Sequence, residues 1–133
     1  MMQTTLGSGI QQSGQCRVLV VDDYADSADT LSMMLRLKGN EVQTCYNGMD
    51  GVKAGETFQP NVIILDIGMP GLNGYDTCKL IREQSWGKSV TIYALTGYGQ
   101  ADDRLKSREA GFDAHLLKPV DLEELIDLLQ KAV

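Results

Sequence analysis

From Cys16 onward the apolar positions switch repeatedly between two spacings. Arg17-Val18-Leu19-Val20-Val21 is a nearly unbroken apolar run, the pattern of a strand covered on both faces. Ala25 to Lys38 then places Ala28, Leu31, Met34 and Leu35 at helical intervals, with Asp26 or Ser27 to cap its start and Gly39 to end it. Glu41 to Cys45 predicts a short second strand. Asn47 to Phe58 predicts a weaker helix, diluted by Gly48, Gly51 and Gly55. Asn61 to Leu65 reads as a third strand, and Gly74 to Glu83 as a third helix with Leu80 and Ile81 inward. Val90 to Leu95 and Ala114 to Leu117 complete the strands. Between them Ala101 to Ala110 predicts a helix whose apolar residues are Ala101, Leu105 and Ala110. Asp121 to Ala132 is the last helix, carried by Leu122, Leu125, Ile126, Leu128 and Leu129.

Strands alternating with helices imply an α/β fold with a parallel sheet. Crossovers must be right-handed, so helices cover both faces. Five βα units, (βα)5, are too few for an eight-stranded barrel. An open, doubly wound, five-stranded parallel sheet remains, and such sheets bind ligands beyond the carboxyl ends of their strands.

Composition narrows the function. The chain has 133 residues, enough for one domain. Residues 1–15, rich in Gly, Ser, Thr and Gln, are expected to be a flexible linker or tail, leaving 16–133 for the fold. Twelve basic residues against 18 acidic give a net charge of −6, which argues against direct contact with nucleic acid. No apolar run approaches the ~20 residues of a membrane span, and no secretory signal opens the chain. A cytoplasmic location without membrane contact by this domain is expected. Cys16, Cys45 and Cys78 lack any metal or disulfide spacing and read as reduced thiols. The lone histidine, His115, excludes a multi-histidine metal site.

Strand one ends in Asp22-Asp23, strand three in Asp66, strand four in Thr96-Gly97 and strand five in Lys118-Pro119. Taken singly, each is an ordinary turn, cap or surface residue. Taken together, they place carboxylates, a hydroxyl and an ammonium around one pocket, provided strands one and three are neighbours. Adjacent carboxylates repel and raise a carboxyl pKa. A hard divalent cation relieves this, and oxygen ligands suit Mg²⁺. Lys118 supplies positive charge on the far side, so an anion between cation and ammonium is the expected occupant. A phosphorylated carboxylate accounts for both halves of the pocket.

Asp22-Asp23, Leu65-Asp66 with Met69-Pro70-Gly71, Ala94-Leu95-Thr96-Gly97 and Leu117-Lys118-Pro119 together resemble the receiver domain of two-component response regulators, over roughly Arg17 to Ala132. The resemblance implies a flavodoxin-like fold with strand order 2-1-3-4-5. It implies Asp66 as phosphoacceptor, Asp23 as a direct Mg²⁺ ligand and Asp22 as one acting mostly through water, with the Gly68 carbonyl completing the protein ligands. Thr96 would bond the phosphoryl group and Lys118 would pair with it. It also implies a cis bond before Pro119, which fits a lysine that points into the pocket while the chain turns toward the last helix. The donor would be a histidine kinase or histidine phosphotransfer domain. Chemistry by the domain itself would be limited to self-phosphorylation and autodephosphorylation, a carboxylate nucleophile forming a mixed anhydride.

His115 stands where the family usually has Tyr or Phe, so its part as a switch beside Thr96 departs from the usual ring mechanism. Gly68 and Tyr98 flank the site and bear on access of water. The helix from Ala101 is either a solvated surface element or a lightly anchored one able to shift. Trp86 reads as a packing residue. The Gly68-to-Gly74 stretch is not GxGxxG and no Walker motif occurs, so nucleotide binding is unsupported. Two rival classes are a flavodoxin-like redox carrier, whose flavin phosphate Asp22-Asp23 would repel, and an aspartyl-phosphate phosphatase, which wants an acid where Gly68 stands. For the parent, the stretches around Gly111 to Asp121 and Leu95 to Gln100 favour a hybrid sensor histidine kinase, with a stand-alone single-domain regulator as the alternative.

Overall fold

The computed structural model describes residues 16–97 and 104–132. The expected linker, Tyr98 and the start of the fourth predicted helix lie outside that range. In chain order the elements are β1 (Arg17–Val21), α1 (Ala25–Leu37), β2 (Glu41–Cys45), α2 (Gly48–Phe58) and β3 (Val62–Asp66). Then come α3 (Gly74–Glu83), a 3₁₀ turn (Ser85–Gly87), β4 (Thr91–Thr96), α4 (Arg104–Ala110), β5 (Ala114–Leu117) and α5 (Leu122–Ala132). All four strand pairs are parallel, in the order β2-β1-β3-β4-β5. The chain reverses direction across the sheet between β1 and β3, which makes their carboxyl ends the switch point.

Alternation along the strands divides the core in two. Val18, Val20, Val62, Ile64 and Leu95 face α1 and α5, against Leu31, Leu35, Leu125 and Leu129. Leu19, Val21, Ile63, Leu65 and Ile92 face the other way, against Tyr75, Cys78 and Ile81 of α3 and Phe112 before β5. β1 and β3 are buried on both faces, which explains their unbroken apolar runs. β2 is an edge strand. The Arg36 guanidinium donates to its Val42 carbonyl (3.0 Å), and Ser32 and Thr44 share a hydroxyl hydrogen bond of 2.7 Å. Both contacts bind the edge to α1. The three cysteines are free thiols, and burial pushes that of Cys78 up to about 12.

Several local expectations are corrected. Neither Asp26 nor Ser27 caps α1; Tyr24 holds the N-cap position without a side-chain bond. The Asp22 carboxylate accepts the Tyr24 N–H instead, at 3.0 Å. In α4, Leu105 is 61% exposed, whereas Ser107 and Ala110 turn inward. Leu80 is half-buried and Ile81 fully so. The glycines of α2 are not a dilution. Gly48, Gly51 and Gly55 are its buried residues, and a Cβ on Gly55 would strike the Trp86 ring while one on Gly51 would lie 2.9 Å from Val21. The helix backbone sits where larger residues would hold it off. Trp86 is thus a packing residue, as read.

Gly74 carries the same logic to the switch point. It opens α3 behind the Asn73 cap, whose side chain accepts from Asp76 N at 2.9 Å. A Cβ there would fall 2.5 Å from the Asp66 carbonyl oxygen and closer still to the Ile67 Cα. Backbone cannot swing aside as a side chain can. Gly74→Ala is expected to destabilise the domain by about 1–3 kcal/mol, the cost of overpacking a tight site. Urea unfolding measures this, and an unchanged midpoint would mean that α3 is free to slide away from β3.

Candidate phosphoacceptor site

β1 and β3 lie side by side, and the carboxylates at their ends come together. Asp66 is the last residue of β3 and is still paired in the ladder, opposite Leu95. Asp22 follows β1 directly, its N–H bonded to the Cys45 carbonyl at 3.1 Å. Asp22 is 1% exposed and Asp66 5%, whereas Asp23 is exposed. One carboxylate oxygen from each of Asp22, Asp23 and Asp66 lies within 4.8 Å of the others.

Lys118 closes the pocket from β5. Its Nζ lies 3.0 Å from Asp22 Oδ2 and donates to Asp66 Oδ2 at 3.3 Å. The Lys118–Pro119 peptide is cis, and the Lys118 N–H bonds the Thr96 carbonyl at 2.8 Å. The other Asp66 oxygen accepts the Gly68 N–H at 3.0 Å. Gly68 itself sits in an exposed turn.

Burial is the main influence on Asp66 and raises its carboxyl pKa. The Gly68 N–H opposes this, Asp22 adds to the rise and Lys118 opposes it, leaving a net rise. Burial alone would lower the Lys118 pKa, but Asp22 and Asp66 outweigh it and the ammonium is held above its ordinary value. Among the described residues one ammonium thus pairs with two carboxylates of a cluster of three. The excess negative charge and the all-oxygen donor set fit a hard divalent ion such as Mg²⁺. Asp23, in water at the mouth, is the acid most accessible to an arriving ion.

Thr96 ends β4, buried at 5% exposure, and its hydroxyl donates to the Leu116 carbonyl across β5 at 3.4 Å. It is at the pocket's edge but turned toward β5. His115 pairs with Ala94 and lies under α4 on the other face of β5 from Leu116. Its ring is 6.3 Å from that of Phe112, in a cleft shared with Arg104 and Arg108. The sequence-predicted acids, lysine and threonine therefore gather at one edge, while His115 belongs to the adjoining α4 cleft. One contributor escapes a reading of motifs: Gly74, which lets α3 close on Asp66. A glycine in the first turn of a helix, where propensity disfavours it, is the signal that marks it.

The profile of the response regulator receiver domain matches residues 18–130. Protein PilG of Pseudomonas aeruginosa is 36% identical over 123 residues, 92% of this chain and 91% of PilG. The chain spans only about half, 46%, of the length of DNA-binding regulators that it also matches, such as RpaA of Synechocystis. Among solved structures, chemotaxis protein CheY4 of Vibrio cholerae superposes with a TM-score of 0.83 at 29% identity, covering 90% of this chain and 99% of CheY4. The receiver domain of sensor histidine kinase PA1611 from P. aeruginosa gives 0.79 at 32% identity, covering 88% and 96%, and that structure has magnesium coordinated in its active-site cleft. With the family profile spanning nearly the whole fold and the strand order matching, this chain belongs to the response regulator receiver domains.

Proposed function

We propose that the domain accepts a phosphoryl group from a phosphohistidine onto Asp66. The observation that carries this reading is the pairing of a buried carboxylate with Lys118, beside two further acids at the switch point. An Asp66 oxygen attacks phosphorus, the P–N bond to the donor imidazole breaks, and the imidazole nitrogen retains the electron pair and takes up a proton. Lys118 pairs with the transferred phosphoryl oxygens as they enter, and the Gly68 N–H orients the attacking carboxylate. Asp23, Asp66, the Gly68 carbonyl and, through water, Asp22 would hold Mg²⁺, which when bound offsets the charge gathering between carboxylate and phosphoryl oxygens. Thr96 would exchange its long bond to Leu116 for one to the phosphoryl group, with His115, beside Leu116 on β5, as the adjoining switch position.

The donor is a histidine kinase or histidine phosphotransfer domain. A mostly apolar groove of about 350 Å³ between α1 and the β5–α5 connection, lined in part by Tyr24, Met34, Leu95, Pro119 and Val120, opens beside Lys118 and offers a protein donor a surface to dock on. The likeness to the PA1611 receiver supports a hybrid sensor kinase as parent. The match to PilG over 91% of that protein favours a single-domain regulator as the second reading. The complete reading frame of the parent gene separates them. A cytoplasmic setting follows from either reading, and among the described residues no helix is long and apolar enough to cross a membrane.

Three outcomes test the site. Asp66→Asn is expected to abolish labelling by acetyl phosphate with Mg²⁺ while keeping the fold, since the amide is nearly isosteric but no nucleophile; labelling at the wild-type level would remove Asp66 from its role. Millimolar Mg²⁺ is expected to raise the unfolding free energy by roughly 1.4 kcal/mol at ten times Kd. Asp23→Ala should lose most of that gain, and an unchanged melting temperature would count against a metal site.

The third outcome is pH dependence without metal. The folded-state pKa of Asp66 is raised, so its contribution to stability is complete below the unfolded value of about 3.9 and is lost as pH rises through the folded value. Asp66→Asn removes that loss. The variant should therefore be more stable than wild type at pH 7, with the gap closing toward pH 4. Parallel stability curves across that range would contradict the assignment of burial as the dominant influence.

A further inference from the structure

Two glycines fix the first turn of α3, one its own and one from α2. Gly74 opens the helix against the end of β3, with no room for a Cβ beside the Asp66 carbonyl and the Ile67 Cα. Thr77 lies three residues on, on the same face of the helix. It meets Gly48, the first residue of α2. A Cβ on Gly48 would strike the Thr77 hydroxyl and stand 3.1 Å from both the Leu72 side chain and the Leu72 carbonyl oxygen. The face of α3 that closes on Asp66 therefore has a second footing, on the main chain of α2.

Neither Thr77 nor α2 yields cheaply. Thr77 is fully buried, and its hydroxyl donates to the Asn73 carbonyl at 2.8 Å and to that of Leu72 at 3.5 Å. A β-branched side chain in a helix has few rotamers, and turning the hydroxyl away would break the Asn73 bond. α2 is seated by Gly51 against Val21 and by Gly55 against Trp86. Only Tyr46 and Asn47 separate α2 from β2, and the Tyr46 hydroxyl donates to Asp29 of α1 at 2.5 Å. The start of α3 is softer. The loop leading into it runs through Gly71, at φ +69° with nothing within 4 Å of a Cβ there. The bond that closes this loop, from Gly74 N–H to the Ile67 carbonyl, is long at 3.3 Å. Crowding at Gly48 is thus relieved by lifting α3 from the end of β3.

We infer that Gly48 and Thr77 are positioning residues for phosphoryl acceptance: their contact sets how closely Gly74 backs Asp66, and so the aim of its carboxylate and of the Gly68 N–H bonded to it. The consequence rests on the proposed phosphorylation of Asp66, whereas the seating of α3 is independent of it. Neither residue touches the reacting atoms. Misplacement by 1 Å costs on the order of a hundredfold in rate, so a partial lift of α3 is expected to cost about tenfold.

The test compares Gly48→Ala, Gly55→Ala, Thr77→Ala and the double variant Gly48→Ala/Thr77→Ala with wild type on the full chain, at a temperature where circular dichroism shows each folded. Initial rates of labelling by acetyl phosphate with saturating Mg²⁺ are followed by intact mass, and amide chemical shifts are recorded by NMR without metal. Gly55→Ala is the control, since its Cβ strikes the Trp86 ring and disturbs the same helix away from Thr77. Gly48→Ala is expected to slow labelling about tenfold and to shift the Asp66, Gly68 and Gly74 amides in the resting state. Gly55→Ala should do neither. In the Thr77→Ala background the hydroxyl that the new Cβ would strike is gone, so adding Gly48→Ala should change the rate by less than about twofold. Equal slowing by Gly48→Ala and Gly55→Ala would mark a general effect of disturbing α2 and overturn the inference. So would a Gly48→Ala penalty undiminished in the Thr77→Ala background, a wild-type rate in Gly48→Ala, or shift changes confined to α2. If Gly48→Ala does not fold, Thr77→Val carries the comparison. It sets a methyl against Gly48 in place of the hydroxyl, and an unchanged rate with unchanged shifts would overturn the inference. If wild type itself is not labelled, the phosphoacceptor reading fails, and the resting-state shifts at Asp66, Gly68 and Gly74 decide the seating.

Discussion

Two buried carboxylates share one ammonium at the carboxyl edge of this sheet, with a third carboxylate exposed beside them, and much of the local structure answers to that imbalance. A buried carboxylate is tolerated only with partners. Asp22 finds the Tyr24 N–H and Lys118, and Asp66 finds the Gly68 N–H and Lys118. These partners fix the path of three loops at once. The turn after β1 must bring Tyr24 back over Asp22, which is why no side chain is left to cap α1. The turn after β3 must fold its own amide onto Asp66. The chain after β5 must present Lys118 inward before turning to α5. Because Asp66 is still inside the ladder, the central acid is held by backbone pairing, while the compensating groups come from more adaptable loops.

The two edges of the sheet are built on opposite principles. At the carboxyl edge charge is in excess and the half-buried Lys118 ammonium is divided between two acids. At the amino edge charge is fully engaged: Arg82 and Asp113 meet each other and, between them, main-chain groups of three segments. An unbalanced cluster responds to a new ion or anion because its arrangement changes when charge is added. A saturated one does not, and so supplies the frame against which a response is measured. The helices of the β4–β5 side run between these two edges and inherit the difference.

Much of this was legible in the residues. Two alternating periods located every described strand to within a residue, because strands buried on both faces cannot hide their apolar runs. The acids, Thr96 and Lys118 were found by a rule of position, the ends of strands in a doubly wound sheet. What escaped has a common cause. Helix boundaries at Tyr24, the outward turn of Leu105 and the inward turn of Ser107 depend on what lies opposite, which periodicity over a seven-residue helix cannot fix. Arg82 reads as an ordinary basic residue near a helix end, since its acceptors are carbonyls far along the chain. A backbone acceptor leaves no trace in residue identity.

The buried glycines of α2 show the same blindness with a different outcome. Gly48, Gly51 and Gly55 bring main chain into that helix's contact surface beside the side chains of Val52, Ala54 and Phe58, with Thr77, Val21 and Trp86 filling the space that side chains on the glycines would take. At those three positions the joint is made by subtraction. They have no rotamers to repack and no methylene to trim, so they cannot drift through a series of neutral exchanges as aliphatic positions can. Any tuning of the packing there has to come from the opposite wall, through the size and shape of the residues at 21, 77 and 86.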